Sequence, residues 1–315
     1  MRVSAIDRPR IAVFALFGLL ALVPVYSGLF DQPFYLTLFA RVMIFALAAV
    51  SLDLVLGFGG MVSFGHAAYL GVGAYAVGIL AYHGVDSVPI RWGVAILASA
   101  AVALFIGAVS LRTSGMYFIM ITLAFAQMLF YLAVSLKAYG GDDGLPIARR
   151  GTIGPIDLNN GTQLYYLILI LLAATLTLAH RVVGSRFGRA LEGAKWNERR
   201  AIALGIAPYR YRLVAFVISG TVCGLAGALL ATLTSFVSPS YMAWTRSGEV
   251  IVMVVLGGMA TLTGPIIGAV VLLVLEEILA TLTIHWMLIL GPILILVVLF
   301  ARRGLWGWIA GDRHG

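Results

Sequence analysis

The sequence predicts an all-α fold: a polytopic transmembrane helical bundle of about ten crossings with both termini cytoplasmic. Two observations carry that expectation. The chain has 315 residues, 62% hydrophobic and 11% charged, with a mean hydropathy of +1.03. So few charges cannot cover that much apolar surface in water. The apolar residues also fall in runs of about 20, the length that crosses about 30 Å of hydrocarbon, and not in the short alternating segments of a β-barrel. The net charge of +8 would point to nucleic acid in a soluble protein. Here the cytoplasmic bias of Lys and Arg accounts for it, and no nucleic-acid partner is expected. The single cysteine, Cys223, excludes an intrachain disulfide and a cysteine metal cluster.

The spans follow in order. Arg2, Arg8 and Arg10 precede span one, about 11–30, read as an uncleaved first helix. Span two, about 34–56, carries Arg41 and Asp53. The run Gly57-Phe58-Gly59-Gly60 reads as a turn, because glycine tolerates positive φ. Span three, about 61–82, is rich in small residues that let helices approach closely in lipid. Spans four and five are about 92–111 and 116–136. A glycine-rich external loop, 137–162, has no hydrophobic period and is too short for a domain of its own. Span six is about 163–180. Span seven, about 213–233, bears Gly220, Gly224 and Ala228 at four-residue spacing, with Ser219, Cys223 and Gly227 beside them, a pattern for tight helix contact. The last part, 249–300, is interrupted at Gly257-Gly258, Gly264-Pro265 and Glu276-Glu277. We treat 1–315 as one transmembrane domain.

Between spans six and seven lies the one long polar segment, 181–212, which holds eight of the 21 basic residues. Sidedness follows from parity. If 249–280 crosses twice, broken near Thr263, then Arg2, Arg8, Arg10, Arg112, the loop cations, Arg302, Arg303 and Arg313 share one side. Arg91, Lys137, Arg149, Arg150 and Arg246 share the other. The positive-inside rule favours this over a single crossing; one crossing plus a re-entrant piece is the alternative. Within the loop, 188–195 can form a short helix. Asn197 suits the N-cap of a second, 198–204, with Glu198 at its positive start, Gly205 after its end and Pro208 beyond. The second helix places Ala201 and Leu204 on one side. Such a capped pair fits a partner's groove; a basic loop on anionic lipid headgroups is the plainer reading.

Polar residues inside spans are costly in lipid and mark pathway candidates. Ser63, His66 and Tyr69 lie three apart on span three, and Thr122 and Gln127 lie on span five. His66 can equally be a neutral histidine bonded to a neighbouring helix, and Gln127 interhelical glue. Gly257 and Gly258 look like the break of a discontinuous helix lining a substrate site, or a plain tight turn. Asp53 is expected to pair with a loop arginine, Arg41 to snorkel outward, and Glu276 and Glu277 to be solvated. Asp142-Asp143 has no third carboxylate at metal spacing. No metal or cofactor is expected. The lysines, Lys137 and Lys195, do not fit the Gly-Lys-Ser/Thr of a phosphate loop, so any driving ATPase is a separate chain.

The run GRALEGAKWNERRAIALGI, followed by ISGTVCGLAGAL, resembles the cytoplasmic coupling loop of ABC importer permeases for branched-chain amino acids. LDLVLGFGGMVSFGHAAYLGVGAYAV, SGMYFIMITLAFAQMLFYLA with GGDDGL, and VLGGMATLTGPIIGAVVL resemble further blocks of the LivM-type subunit. The likeness extends from about Leu47 to Val271. It departs at Asp53, where the family usually has Asn, and at Met61. The resemblance implies a bacterial inner-membrane permease subunit, not itself an enzyme. It implies pairing with a second homologous, LivH-type permease. Two cytoplasmic ATPases would dock on the coupling loops, and a periplasmic or extracellular solute-binding protein would deliver substrate. The loop residues then expected to couple to the ATPase are Gly188, Arg189, Glu192, Asn197, Glu198, Ala201, Leu204 and Gly205. The substrate would be a branched-chain or related amino acid; urea, short amides or aromatic acids are alternatives. A stand-alone secondary transporter needs an ion-coupling site, for which Asp53 and Glu249 are candidates without an obvious relay. A membrane enzyme is disfavoured by the absence of HExxH, GxSxG and DDxxD patterns.

Overall fold

The computed structural model of the chain describes residues 8–154, 156–300 and 304–310. Arg2, Arg302, Arg303 and Arg313, which entered the parity count, lie outside them. The helices are α1 (Arg8–Phe30), α2 (Pro33–Asp53), α3 (His66–Tyr82), α4 (Val88–Ser110), α5 (Met116–Ser135), α6 (Gly161–Gly184), α7 (Arg186–Trp196), α8 (Glu198–Ala203), α9 (Pro208–Thr234), α10 (Trp244–Gly257), α11 (Gly264–Leu282), α12 (Trp286–Phe300) and α13 (Gly304–Ala310). Among the described residues, seven helical segments are long and apolar enough to cross a membrane, and α3 and part of α12 are shorter apolar helices. The protein is therefore a polytopic α-helical membrane protein.

The core forms around α2, whose residues from Val42 to Asp53 are all buried. It packs on α6, α9 and α11, while α3, α4 and α9 pack on one another. The small-residue pattern on α9 does what its spacing predicts. A Cβ at Gly227 would run into the Leu70 carbonyl of α3. One at Gly73 would meet Gly224, and one at Gly224 would meet Ser99 of α4. Backbones this close leave no room for larger side chains, and close packing replaces the hydrophobic drive that lipid cannot supply. By contrast α1, α4, α5 and α6 keep exposed apolar faces, among them Phe14, Phe105, Met120 and Ile170.

Three breaks in helical order depart from the simple span reading. First, α2 runs on into a π-helical turn, Leu54–Phe58, and α3 begins only at His66, so 61–65 is non-helical. Gly60, at φ +69, turns the chain there. Second, α9 is followed by a short strand β4 (Phe236–Val237) and a 3₁₀ turn, Pro239–Met242, before α10. Met242 fills the space over Gly71 of α3. Third, α10 and α11 form the two helices expected on either side of Thr263. Gly257 packs on the Gly264 backbone and Gly268 on the Met253 carbonyl.

The loop 137–162 is more ordered than its composition implies. Its strand β1 (Leu145–Pro146) pairs antiparallel with β4, and β2 (Thr152–Ile153) pairs with β3 (Ile156–Asp157). Leu145, Ile147 and Leu158 are buried. Arg91 of α4 donates to the carbonyls of Val85 and Arg149 and bridges Asp86 at 3.1 Å. Arg150 donates to the Leu233 carbonyl at 2.9 Å, at the C-terminal end of α9.

Candidate functional site

The polar segment forms the two short helices α7 and α8 joined by an elbow. Ser185 caps α7, its hydroxyl accepting from the N–H groups of Phe187 and Gly188. Asn197 caps α8, its side chain accepting from Arg200 N–H at 2.9 Å. At the far end Gly205 adopts φ +80, and the Ile206 N–H reaches the Ala201 carbonyl at 3.0 Å. This is a left-handed residue closing a helix, the task glycine performs without a Cβ penalty. Asn197 and Gly205 were legible as cap residues; Ser185 was not, because the expected helix began at Gly188 and α7 begins at Arg186.

The candidate coupling residues divide into two groups. Gly188 is buried, and a Cβ there would strike the Val183 carbonyl, so it sets how closely α7 folds back on α6. Ala201 is buried as well. Arg189, Glu192, Asn197, Glu198, Leu204 and Gly205 are exposed. Leu204 thus does not share the side of Ala201. It is 74% exposed, and Trp196 (76%) and Ile202 (57%) are exposed too, three large apolar side chains in a segment rich in cations. Solvent-exposed Trp, Ile and Leu on a two-helix protrusion have the character of an unfilled contact surface.

The elbow is tied to the bundle by two cations. Arg212, in the first turns of α9, bridges Glu198 at 3.0 Å and donates to the Ala194 carbonyl at 3.3 Å. Lys195 reaches back to the Gly57 carbonyl at 2.6 Å. Gly57 belongs to the π-helical turn that follows Asp53. The Asp53 carboxylate, fully buried, accepts from the N–H groups of Ala260 at 2.8 Å and Leu262 at 3.2 Å. Asp53 therefore does not pair with a loop arginine. Its partners are backbone groups between α10 and α11, which helix breakage leaves without intrahelical acceptors. Ala260 and Leu262 hold φ +59 and +57, a region non-glycine residues seldom adopt. A chain of contacts thus runs from the α7–α8 elbow through the end of α2 to the α10–α11 break.

The pathway candidates lie deeper. Ser63, His66, Tyr69 and Thr122 are fully buried. The His66 ring Nε2 lies 3.1 Å from both Ser51 Oγ of α2 and Ser219 Oγ of α9, so it joins three elements. Tyr69 stands edge-on to Phe216. The Ser63 hydroxyl accepts from Gly65 N–H, and Thr122 donates to its own helix at Ile119. Gln127 is half-buried on α5. Gly257 ends α10 and Gly258 follows it at φ +121, where the turn toward α11 begins. His66 and Tyr69 stand edge-on with ring centroids 5.6 Å apart, whereas Ser63 lies in the non-helical stretch before α3, and Gln127 and the glycine pair lie on other elements.

Residues 34–299 match the model of the branched-chain amino acid transport system / permease component family. That match covers most of the chain. The chain belongs to this permease family. Similar proteins include the high-affinity branched-chain amino acid transport system permease protein LivM of Salmonella typhimurium. It is 28% identical over 291 residues, covering 84% of this chain and 68% of that protein. LivM of Escherichia coli gives the same identity and coverage. BraD of Pseudomonas aeruginosa is 26% identical over 281 residues, covering 84% of this chain and 91% of BraD. No solved structure matches. Within this permease family the chain is of the LivM type, and its role as a membrane permease subunit of an ABC importer follows from that membership.

Proposed function

We propose that this permease conducts branched-chain or related amino acids across a bacterial inner membrane, driven by separate ATPases that dock on α7 and α8. The relatives named for branched-chain amino acid transport support the substrate class. The observation that carries the coupling reading is the capped α7–α8 pair, which presents Trp196, Ile202 and Leu204 outward. Lys195 and Asp53 then link the pair to the α10–α11 break. The chain itself catalyses no reaction. A second, LivH-type permease completes the membrane part, and an external solute-binding protein delivers substrate. The relative named LivH, at 25% identity, is consistent with homologous paired subunits.

The chain crosses about ten times, with α1–α6, α9, α10, α11 and α12 as the crossings and both termini cytoplasmic, the arrangement favoured by the positive-inside rule. α10 has 14 residues, about 21 Å at 1.5 Å per residue, so the strand and 3₁₀ turn before it complete that crossing. Loop 181–212 then lies inside and 137–162 outside.

The test is co-purification of the full chain with its ATPase, comparing wild type with Leu204→Asp and Trp196→Ala. Both residues are surface-exposed, so the fold should persist while ATPase recovery falls about tenfold, as loss of a buried anchor implies. An ATPase that stays bound and an undiminished transport rate would remove α7–α8 as the coupling element.

A further inference from the structure

Four charged residues converge where α2, α10 and α11 meet. Arg41 stands eight residues into α2, about 12 Å below its start. Arg246 and Glu249 occupy the first turns of α10 and bridge at 2.7 Å. Glu276 of α11 is half-buried and within electrostatic reach of Arg41, Arg246 and Glu249. Arg41 does not snorkel away. Its guanidinium lies over the Phe45 ring at 5.9 Å, and among the described residues no side chain or carbonyl bonds to it. Charges at this depth are too costly to face lipid; they face protein or a polar route.

Arg41 and Arg246 border a cavity. Its volume is about 160 Å³, room for about five waters at about 30 Å³ each and so for a small solute. Arg41, Arg246, Tyr241 and Thr234 supply its polar lining. Phe45, Leu70, Leu230 and Val250 supply the apolar lining, with Cys223 at its wall. The Tyr241 hydroxyl lies 3.4 Å from Thr234 Oγ1. Tyr241 belongs to the 3₁₀ turn between α9 and α10, and irregular backbone at membrane depth is tolerated where it lines a cavity. Arg246 adds its charge to the positive end of α10.

We propose that this cavity holds the carboxylate of the transported solute. Arg41 and Arg246 grip the carboxylate, and Phe45, Leu70 and Leu230 take an aliphatic side chain. A pair of guanidiniums complements a carboxylate, and the aromatic and leucine wall complements a branched body. The proposal rests on the importer reading for the solute's identity, and it places recognition in the permease itself. His66 and Ser63, sealed between helices, are outside this cavity.

The test uses the full chain in membranes, with Cys223→Ser removing the native thiol and Thr234→Cys placing a reporter at the rim. The rate of N-ethylmaleimide labelling is measured with L-leucine, with isocaproate (the same body without the amino group) and with isoamylamine (the same body without the carboxylate). Leucine and isocaproate should slow labelling, and isoamylamine should not. Arg41→Ala should raise the leucine concentration needed for protection about tenfold, the loss of one charge-assisted hydrogen bond, with partial recovery in Arg41→Lys. A second measurement covers a reporter that perturbs the fold. ATP-driven leucine uptake by the reconstituted transporter should fall about tenfold in Arg41→Ala while ATP hydrolysis persists. Absence of protection together with unchanged uptake in Arg41→Ala overturns the site and leaves the importer reading standing. Protection by isocaproate without any leucine uptake keeps the site and removes that reading. An Arg41→Ala chain that loses its paired permease but keeps protection assigns Arg41 to the subunit interface and overturns its role here.

Discussion

Asp53 illustrates what one side chain does in a chain with so few charges. Its carboxylate serves two backbone N–H groups, of Ala260 and Leu262, at the break between α10 and α11. Those residues hold left-handed backbone, which costs non-glycine residues about 1–2 kcal/mol each and persists where surroundings fix it. Asp53→Ala leaves both donors without an acceptor, at about 1–3 kcal/mol per donor. The apparent melting temperature of the purified chain should drop clearly. Asp53→Asn keeps one acceptor oxygen and should lose roughly half as much. Equal melting of wild type and the alanine variant would mean that water or a relaxed loop satisfies these groups. Lys195 works on the same turn, donating to the Gly57 carbonyl. Lys195→Met preserves the stem and removes the donor. It should leave ATPase binding intact while lowering transport per ATP hydrolysed; unchanged stoichiometry would show that this contact carries no coupling. Sequence inspection marked Asp53 as notable but gave it the wrong partner, because the groups it bonds are backbone and carry no residue signature.

At the scale of elements, the contact between α3 and α9 sets how close the bundle's centre can pack. Gly227 abuts the Leu70 carbonyl, so Gly227→Leu cannot be absorbed by a rotamer change and must separate the helices. Overpacking costs about 1–3 kcal/mol in yielding cores and more where backbone blocks the way. Gly93 of α4 has no neighbour within 4 Å of an added Cβ. Gly93→Leu should therefore yield folded, monodisperse protein, and Gly227→Leu should not, as read by size-exclusion profile after solubilisation. Comparable recovery of both would refute the close-contact argument. The glycine row on α9 was readable because its spacing is local and regular. The partner surface was not, since Gly73 lies among several equally small residues. The segment between α9 and α10 was also opaque. Its 3₁₀ turn seats Met242 over Gly71, and β4 pairs with β1 in the loop before α6. Both are contacts between distant parts of the chain that no local period encodes.

At the scale of the molecule, the connections sort to two ends. One end gathers the Gly57–Gly60 turn, the α4–α5 link, the α7–α8 elbow and the α10–α11 break, joined through Lys195, Arg212 and Asp53. The other gathers 82–88, the loop 137–160 and β4, joined through Arg91 and Arg150. Composition and run length made the membrane class plain, because both are properties of whole segments and survive errors of a few residues at span boundaries; the parity count adds an expected side for each end. The same arithmetic makes sidedness testable. Cys223 is the sole cysteine, so a Cys223→Ser chain is a blank background. Ala203→Cys on exposed α8 and Asn159→Cys in the exposed part of the other loop report on opposite ends. In intact cells a membrane-impermeant maleimide should label residue 159 and spare residue 203, and permeabilisation should expose 203. Labelling of 203 from outside would invert the bundle and remove the surface on which an ATPase could act. Labelling of both from outside would mean that an odd number of the helices between them fails to cross; α6 is the one long apolar helix separating the two positions, so that result would test α6 directly.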